Sequence, residues 1–459
     1  MTLKFLKLFI LVVAFSFVSC STQSKQENNE TTATNNEKVY SHVDWAKNAN
    51  IYEVNVRQYT KEGTFAAFQE HMPRLQQMGV DILWLMPIHP VSEKNRKGGM
   101  GSCYAVQDYQ KVNPDFGSLD DLKNLVNKAH ELGMHVIIDW VANHTGWDNL
   151  MIEQHPDWYT KDSLGNIMVP AGTDWTDVAD LNYENQEMRE YMIQSLEYWV
   201  KEANIDGYRC DVAGFVPTDF WINARKRLDA LKPIFMLAEW ESKDLLNAFD
   251  MIYGWDFHHR MNEIAQGKAT TVSIDEYFSK VDSTYNADDY IMYFTSNHDE
   301  NSWNGTVFER MGNAAEAMAV LSATIPGMPL IYSGQEAKLN KRLAFFEKDE
   351  IDWSILALED FYSKLLHLKK ENKTLWNGSE GGSLIKVSDE AENIFAFVRE
   401  KEENKVVVII NLSDKEQIFK TKNQIVFGDY ISLFTQTNVA LNSDSSIKLK
   451  PWGYQVLSR

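Results

Sequence analysis

From residue 50 onward, short apolar runs alternate with segments whose apolar positions recur at helical spacing, the pattern of βα units around a parallel sheet. Strands are expected at 51–57, 81–87, 134–139, 206–211, 234–239, 251–255, 290–295 and 328–332. Helical periodicity fills 119–132, 186–203, 217–231, 272–285 and 313–324, and a further helix at 358–371 follows the last strand. Ser118 with Asp120 and Asp121 at one helix start, and Gly133 beyond its end, are ordinary cap chemistry. Strands buried on both faces read as near-continuous apolar runs, and eight of them with intervening helices predict an α/β fold, a closed (β/α)8 TIM barrel. It occupies 45–139 and 184–375.

Two regions break the alternation. Residues 140–183 run through Pro, Gly, Asp and Trp without helical periodicity, too long for a simple loop, and predict a small excursion domain over the barrel mouth after strand 3. Past 375, short strands at 383–387, 394–399, 405–412, 417–419, 424–427, 447–449 and 453–457 follow in series, which predicts a C-terminal antiparallel β-sandwich over 376–459.

The first twenty residues stand apart from the fold. Lys4 and Lys7 precede an apolar run from Leu8 to Val18, and Ser19 sits directly before Cys20. Residues 1–20 look like a bacterial lipoprotein signal, with Phe17-Val18-Ser19-Cys20 in place of the lipobox and Cys20 as the lipid attachment residue. Phe17 stands where that motif usually has Leu, and a plain secretory signal cut nearby is the alternative. Residues 21–44 are Ser, Thr, Asn, Gln, Lys and Glu with almost nothing apolar and read as a flexible tether. The implied location is the cell envelope, lipid-anchored to the outer membrane or to the outer face of the cytoplasmic membrane.

Composition narrows the partners. A formal net charge of −20 over 459 residues argues against nucleic acid, whose phosphates need a basic surface, and leaves a neutral glycan unaffected. Fourteen Trp, nineteen Tyr and twenty-three Phe suit sugar stacking but serve ordinary cores equally well. Cys103 and Cys210 are not expected to pair, because Cys210 lies between Arg209 and Asp211 on a strand and faces the opposite way. Oligomeric state is not legible.

The chemistry lies in three stretches that each end in a carboxylate: Gly207-Tyr208-Arg209-Cys210-Asp211, Phe235-Met236-Leu237-Ala238-Glu239 and Phe294-Thr295-Ser296-Asn297-His298-Asp299. Parallel barrel strands deliver such residues to one C-terminal rim. Three acids converging there suit glycosidic bond cleavage, in which one carboxyl donates a proton while another attacks as an anion. Each residue has a duller reading: Arg209 with Asp211 as a buried structural pair, Glu239 as a helix cap, His144 as a satisfied loop histidine, His298 and Asp299 as a turn. Their shared position at one rim favours the site.

These stretches, with Asp139-Trp140-Val141-Ala142-Asn143-His144, Ala179-Asp180-Leu181-Asn182 and Gly327-Met328-Pro329-Leu330-Ile331-Tyr332-Ser333-Gly334-Gln335-Glu336, resemble the ordered motifs of the alpha-amylase superfamily of glycoside hydrolases. The resemblance spans roughly residues 45 to 459. It implies Asp211 as nucleophile, Glu239 as general acid and base, and Asp299 as the third acid. It also implies Arg209 beside the nucleophile, His144 and His298 as hydrogen-bonding partners of the attacked glucose, and Tyr104 stacked on that sugar. Asp139 would brace the arginine and a histidine from behind. Glu239 must hold its proton while Asp211 is ionised, and the neighbouring charges raise the Glu239 pKa.

The pattern also has departures. Many members of the superfamily carry Lys and His three and four positions after the nucleophile, where Gly214 and Phe215 stand here. A calcium site is implied only at Asn143 with Asp174 or Asp177, so no essential metal is expected. Trp147, Trp158, Trp175, Trp240, Trp255 and Trp303 read as core, with Trp240 the foremost sugar contact among them, and Glu300 reads as a solvated rim acid. The implied function is retaining hydrolysis of α-1,4-glucosidic bonds in starch-like glucans or maltooligosaccharides through a glycosyl-enzyme on Asp211. The alternatives are a 4-α-glucanotransferase or α-glucosidase on the same site and, in another class, a non-catalytic glycan-binding lipoprotein.

Overall fold

The structure, a computed structural model, describes residues 38, 40–388 and 393–459. The expected signal at 1–20, Cys20 and the first part of the tether lie outside the described residues. Among the described residues no helix is long and apolar enough to cross a membrane.

Eight parallel strands close the barrel: β1 (Ile51–Val54), β2 (Ile82–Leu85), β3 (His135–Val141), β4 (Gly207–Asp211), β5 (Phe235–Ala238), β6 (Met251–Tyr253), β7 (Tyr290–Phe294) and β8 (Met328–Tyr332). They neighbour one another in chain order, and β1 pairs with β8 to complete the ring. Alternation along each strand decides the two faces. Ile51, Ile82, Trp84, Ile137, Phe235, Leu237, Met251, Tyr253, Met292, Phe294, Met328 and Leu330 fill the lumen. Tyr52, Leu83, Val136, Ile138, Tyr208, Cys210, Met236, Ala238, Ile252 and Ile291 face the surrounding helices. Cys103 and Cys210 are buried free thiols.

All six expected helices lie within two residues of the expected bounds, and 186–203 matches at both ends as Gln186–Ala203. Further helices among the described residues were not expected, three of them between β1 and β2. Expected strand 51–57 stops at Val54, and Val56–Tyr59 turns into a short helix, followed by Phe65–Gln69 and Met72–Met78. Thr64 starts the second of these by accepting from Ala67 N, and Gly79 at φ 100 ends the third. Expected strand 251–255 likewise yields at Gly254 to a helix over Trp255–Ala265.

The tether does not extend to residue 44. Tyr40 donates its hydroxyl to the Leu246 and Phe249 carbonyls, His42 meets Asp250 at 2.8 Å, and Val43 is buried. These are the aromatic and apolar side chains that the preceding polar stretch lacks, so the folded body starts before 45. Segment 140–183 carries a two-stranded hairpin, His144–Gly146 against Val178–Asp180, and a short helix, Leu150–Gln154.

C-terminally, six antiparallel strands run in the order Leu384–Lys386, Ile394–Lys401, Asn404–Asn411, Tyr454–Ser458, Gly428–Ser432, Asn438–Leu441. Phe395, Phe397, Val406, Val408 and Ile410 pack on the barrel side, while Ile394, Ala396, Val398, Val407 and Ile409 meet Phe419 and Leu449 of a second sheet. Burial on both faces explains the unbroken apolar runs of the central strands. Segment 424–427, expected as a strand, is a 3₁₀ turn, because the Asn423 side chain caps it by accepting from Ile425 N. The strands at Gly428–Ser432 and Asn438–Leu441 were not expected.

Candidate active site

The inward column of β4 sets the site. Arg209 and Asp211 lie two residues apart, so both point to the lumen, and the register places Asp139 of β3 directly opposite Arg209. Arg209 is fully buried. Its Nη1 donates to Asp139 Oδ1 at 2.9 Å and to Asp211 Oδ1 at 3.0 Å, and its Nε donates to the Tyr253 hydroxyl at 3.2 Å. Nη2 stands 2.6 Å from Glu239 Oε1, a charge contact lacking directed hydrogen-bond geometry. One guanidinium thus touches three carboxylates.

Glu239 is the first residue past β5. Its second oxygen accepts from Val212 N at 2.8 Å. Val212 has φ 35, a left-handed conformation that a β-branched residue rarely adopts and that costs about 1–3 kcal/mol. The strained turn after Asp211 therefore aims a backbone N–H at the neighbouring acid. Burial, with the charges of Asp211 and Asp299, raises the Glu239 pKa well above the usual carboxylate range, against the pull of Arg209 and of the Val212 N–H.

Asp139 is enclosed by donors. Trp84 Nε1 at 3.1 Å and the Tyr104 hydroxyl at 3.0 Å join Arg209. Burial raises its pKa and Arg209 opposes that, while the all-donor surroundings suit the anion. The resemblance had Asp139 bracing a histidine as well; no hydrogen bond links them, and Tyr104 lies between, its oxygen 2.8 Å from His298 Nε2.

Glu53, absent from the sequence reading, holds His298. Its Oε1 is 2.5 Å from His298 Nδ1, and Asp299 Oδ2 lies 3.4 Å from Nε2. Burial alone would lower the imidazole pKa, but Asp299 and Glu53 outweigh it and hold it up at about 9. Both ring nitrogens are then donors, Nδ1 to Glu53 and Nε2 to Tyr104. The available signal was a lone carboxylate at an inward position of an otherwise apolar strand, Ile51-Tyr52-Glu53-Val54.

The mouth of this arrangement is a cavity of about 520 Å³ lined by Tyr104, His144, Asp211, Glu239, His298 and Asp299, with Lys97, Trp175, Asp177, Trp303, Phe345 and Phe346 around it. All three acids and the expected sugar-binding side chains except Arg209 line it; Arg209 and Asp139 lie fully buried beneath. His144 is almost wholly buried, and burial lowers its pKa.

Three sequence readings fail here. Glu300 is not a solvated rim acid: it is 6% exposed, 3.1 Å from His258 Nε2 and 3.6 Å from Arg310. Burial works against its ionisation, yet His258 and Arg310 hold its pKa down to about 2. Trp303, at 52% exposure, and Trp240, at 37%, are not core residues. A π-helical turn over Glu300–Asn304 directly after Asp299 carries Trp303 toward Phe345, at 5.0 Å between ring centroids.

The residues suggested for calcium do not fit it. Asp177 is paired with Lys97 Nζ at 3.0 Å, the same ammonium lies 3.4 Å from the Asp174 carbonyl, and the Asn143 amide meets His144 Nδ1. Calcium takes about six to eight oxygens. Among the described residues no cluster of three or more His, Cys, Asp or Glu side chains is placed to hold a metal.

Known proteins share this architecture. Residues 22–166 and 172–372 match the family described as alpha amylase, catalytic domain, and 385–456 match the maltogenic amylase C-terminal domain. The structure of an alpha-amylase from Lactobacillus plantarum is 31% identical with a TM-score of 0.81, covering 90% of this chain and 99% of that one. That of a noncanonic maltogenic alpha-amylase from Thermotoga neapolitana is 30% identical with a TM-score of 0.82, at the same coverages. Alpha-amylase 2 of Dictyoglomus thermophilum is 24% identical over 479 residues, 92% of this chain and 80% of that protein. With the family matched over most of its length and the barrel closed as that family requires, the chain belongs to the alpha-amylase family of glycoside hydrolases.

Proposed function

We propose that this enzyme hydrolyses α-1,4-glucosidic bonds in starch-like glucans or maltooligosaccharides with retention of configuration. Asp211 Oδ attacks the anomeric carbon while the glycosidic C–O bond breaks and Glu239 gives its proton to the departing oxygen. Glu239, now a carboxylate, takes a proton from water, whose oxygen displaces Asp211 and restores both acids. Tyr104, His144, His298 and Asp299 hold the reacting glucose, with Arg209 and Asp139 fixing the acids from below.

The single guanidinium shared by Asp211 and Glu239 carries this reading. It favours the short separation of about 5–5.5 Å that retention uses over the wider gap that leaves room for an inverting water. Burial supports Glu239 as the proton donor, since it keeps that carboxyl protonated near neutral pH. Product lengths and anomeric configuration from soluble starch, pullulan and maltotriose, followed by NMR, test it. Newly released α-anomers support retention; initial β-anomers overturn it. Transfer products or glucose as sole product assign the chain to a glucanotransferase or an α-glucosidase.

Lys97 bridging to Asp177 supports catalysis without a bound metal. We further propose export and lipid attachment at Cys20, on the pattern of residues 1–20. Membrane-fraction recovery that Cys20→Ser abolishes supports the anchor; unchanged soluble recovery of both forms overturns it.

A further inference from the structure

Four segments that rise from the barrel rim are stitched to one another. Segment 93–101, after β2, is held on one side by the excursion after β3. Glu93 N and Lys94 N donate to Asp148 Oδ2 at 2.8 and 3.3 Å, and Lys97 Nζ reaches Asp177 at 3.0 Å. On the other side it is held by the loop after β8, where Gly99 N donates to Glu347 Oε1 at 2.6 Å and Met100 N to the Phe346 carbonyl at 2.9 Å. Arg57, in the short helix after β1, donates to the Gly101 carbonyl at 2.9 Å. The loop after β8 is tied in turn to the π-helical turn after β7. Leu343 N donates to Asn301 Oδ1 at 2.8 Å, and Ser302 Oγ to the Leu343 carbonyl at 3.0 Å.

The run Lys97-Gly98-Gly99-Met100-Gly101 permits the closest of these contacts. A Cβ at Gly98 would stand 2.5 Å from the Phe346 Cβ, and one at Gly99 2.5 Å from Glu347 Oε2, so side chains there would part the two loops. Around the ring the stitches run from β3 through β2 and β1 to β8 and β7, while Glu239 follows β5 on the remaining arc. Lys97, Phe345 and Phe346 of the stitched loops line the cavity, with the Phe345 ring 6.2 Å from that of Tyr104.

The direction of the substrate follows from the chemistry. Glu239 protonates the departing oxygen, so the departing saccharide lies on the β5 side. The glucose attacked at C1 keeps the rest of its chain through O4, toward the non-reducing end, and that part extends toward the stitched arc.

We propose that the stitched loops are an end wall that makes the cavity a blind pocket on the retained side. The enzyme then takes in the non-reducing end of a glucan and releases a short saccharide from it, instead of cutting within the chain. The inference rests on the proposed hydrolysis, with Asp211 and Glu239 in the roles given above. Lys97 and Glu347 act on specificity by holding the wall in place and touch no reacting atom.

The test compares maltoheptaose with the same chain carrying a 4,6-O-benzylidene group on its non-reducing glucose, products being followed by chromatography. Wild-type kcat/KM is expected to be roughly 100-fold lower on the capped chain, which the wall excludes. The Lys97→Ala, Glu347→Ala double variant loosens both sides of segment 93–101, and should raise the capped-to-uncapped ratio roughly ten-fold. Equal wild-type rates on the two chains would overturn the wall and leave the hydrolytic reading intact. A ratio that the double variant leaves unchanged would also overturn it, since the exclusion would then arise elsewhere. A wild-type enzyme that cleaves neither chain would instead overturn the catalytic assignment, and the wall with it.

Discussion

Replacing Glu53 by Gln isolates the interaction that the sequence concealed. His298 is fully buried, and its pKa stands at about 9 against an ordinary 6.5 because Asp299 and Glu53 overcome the burial and the repulsion of Arg209. A raised histidine pKa contributes stability that is complete below pH 6.5 and disappears as pH climbs through about 9. That difference corresponds to roughly 3 kcal/mol. The Gln side chain keeps a hydrogen-bond acceptor but no charge, leaving only Asp299, 3.4 Å away and 35% exposed, to oppose burial. About 2 kcal/mol should therefore be lost at pH 6. At pH 10 His298 is neutral in both proteins, and the buried Glu53, whose Oε2 has no partner, no longer has its counter-charge. The variant should then equal or exceed the wild type. Urea midpoints at constant m-value across pH 6–10 measure the difference. Groups common to both proteins, Glu239 and Asp139 included, cancel in it. Parallel curves over that range would refute the cationic His298 and the role given to Glu53.

Activity on maltotetraose should decline on the alkaline side as Glu239 loses the proton that burial, Asp211 and Asp299 help it retain. Glu239→Gln should lower kcat/KM by roughly 10²–10⁴-fold and remove that limb; a surviving limb would assign it elsewhere. Chelator should leave the wild-type Tm unchanged, whereas Lys97→Met should cost about 0.5–1 kcal/mol, a modest figure because the Lys97 side chain is 34% exposed. A wild-type Tm that calcium raises after chelation would show a metal site. Arg399 is buried and donates to the Gly382, Thr324, Ile325 and Trp376 carbonyls, tying the C-terminal sheet to the barrel. Arg399→Met should destabilise by about 2–3 kcal/mol in urea unfolding, and a change near zero would show those carbonyls satisfied without it.

What the chain determined by itself is local and periodic. Two-residue alternation put Arg209 and Asp211 on one face and Cys210 on the other, and apolar runs leading to Asp211 and Glu239, and one ending at Phe294 five residues before Asp299, marked the strand ends. Both follow from backbone geometry over a few residues. The same locality explains the errors: at 424–427 and 251–255 a capping side chain or a glycine ends or replaces a strand whose apolar residues look unchanged. Only the closed barrel decided which distant residues meet. Glu53 and His298 are 245 positions apart and touch because β1 lies one strand from β7 around the closure through β8. Likewise Lys97 reaches Asp177, Glu300 is buried against His258, and Gly214 yields its space to Trp240. Each is a through-space contact between side chains on separate elements, for which a single sequence carries residue identity but no distance.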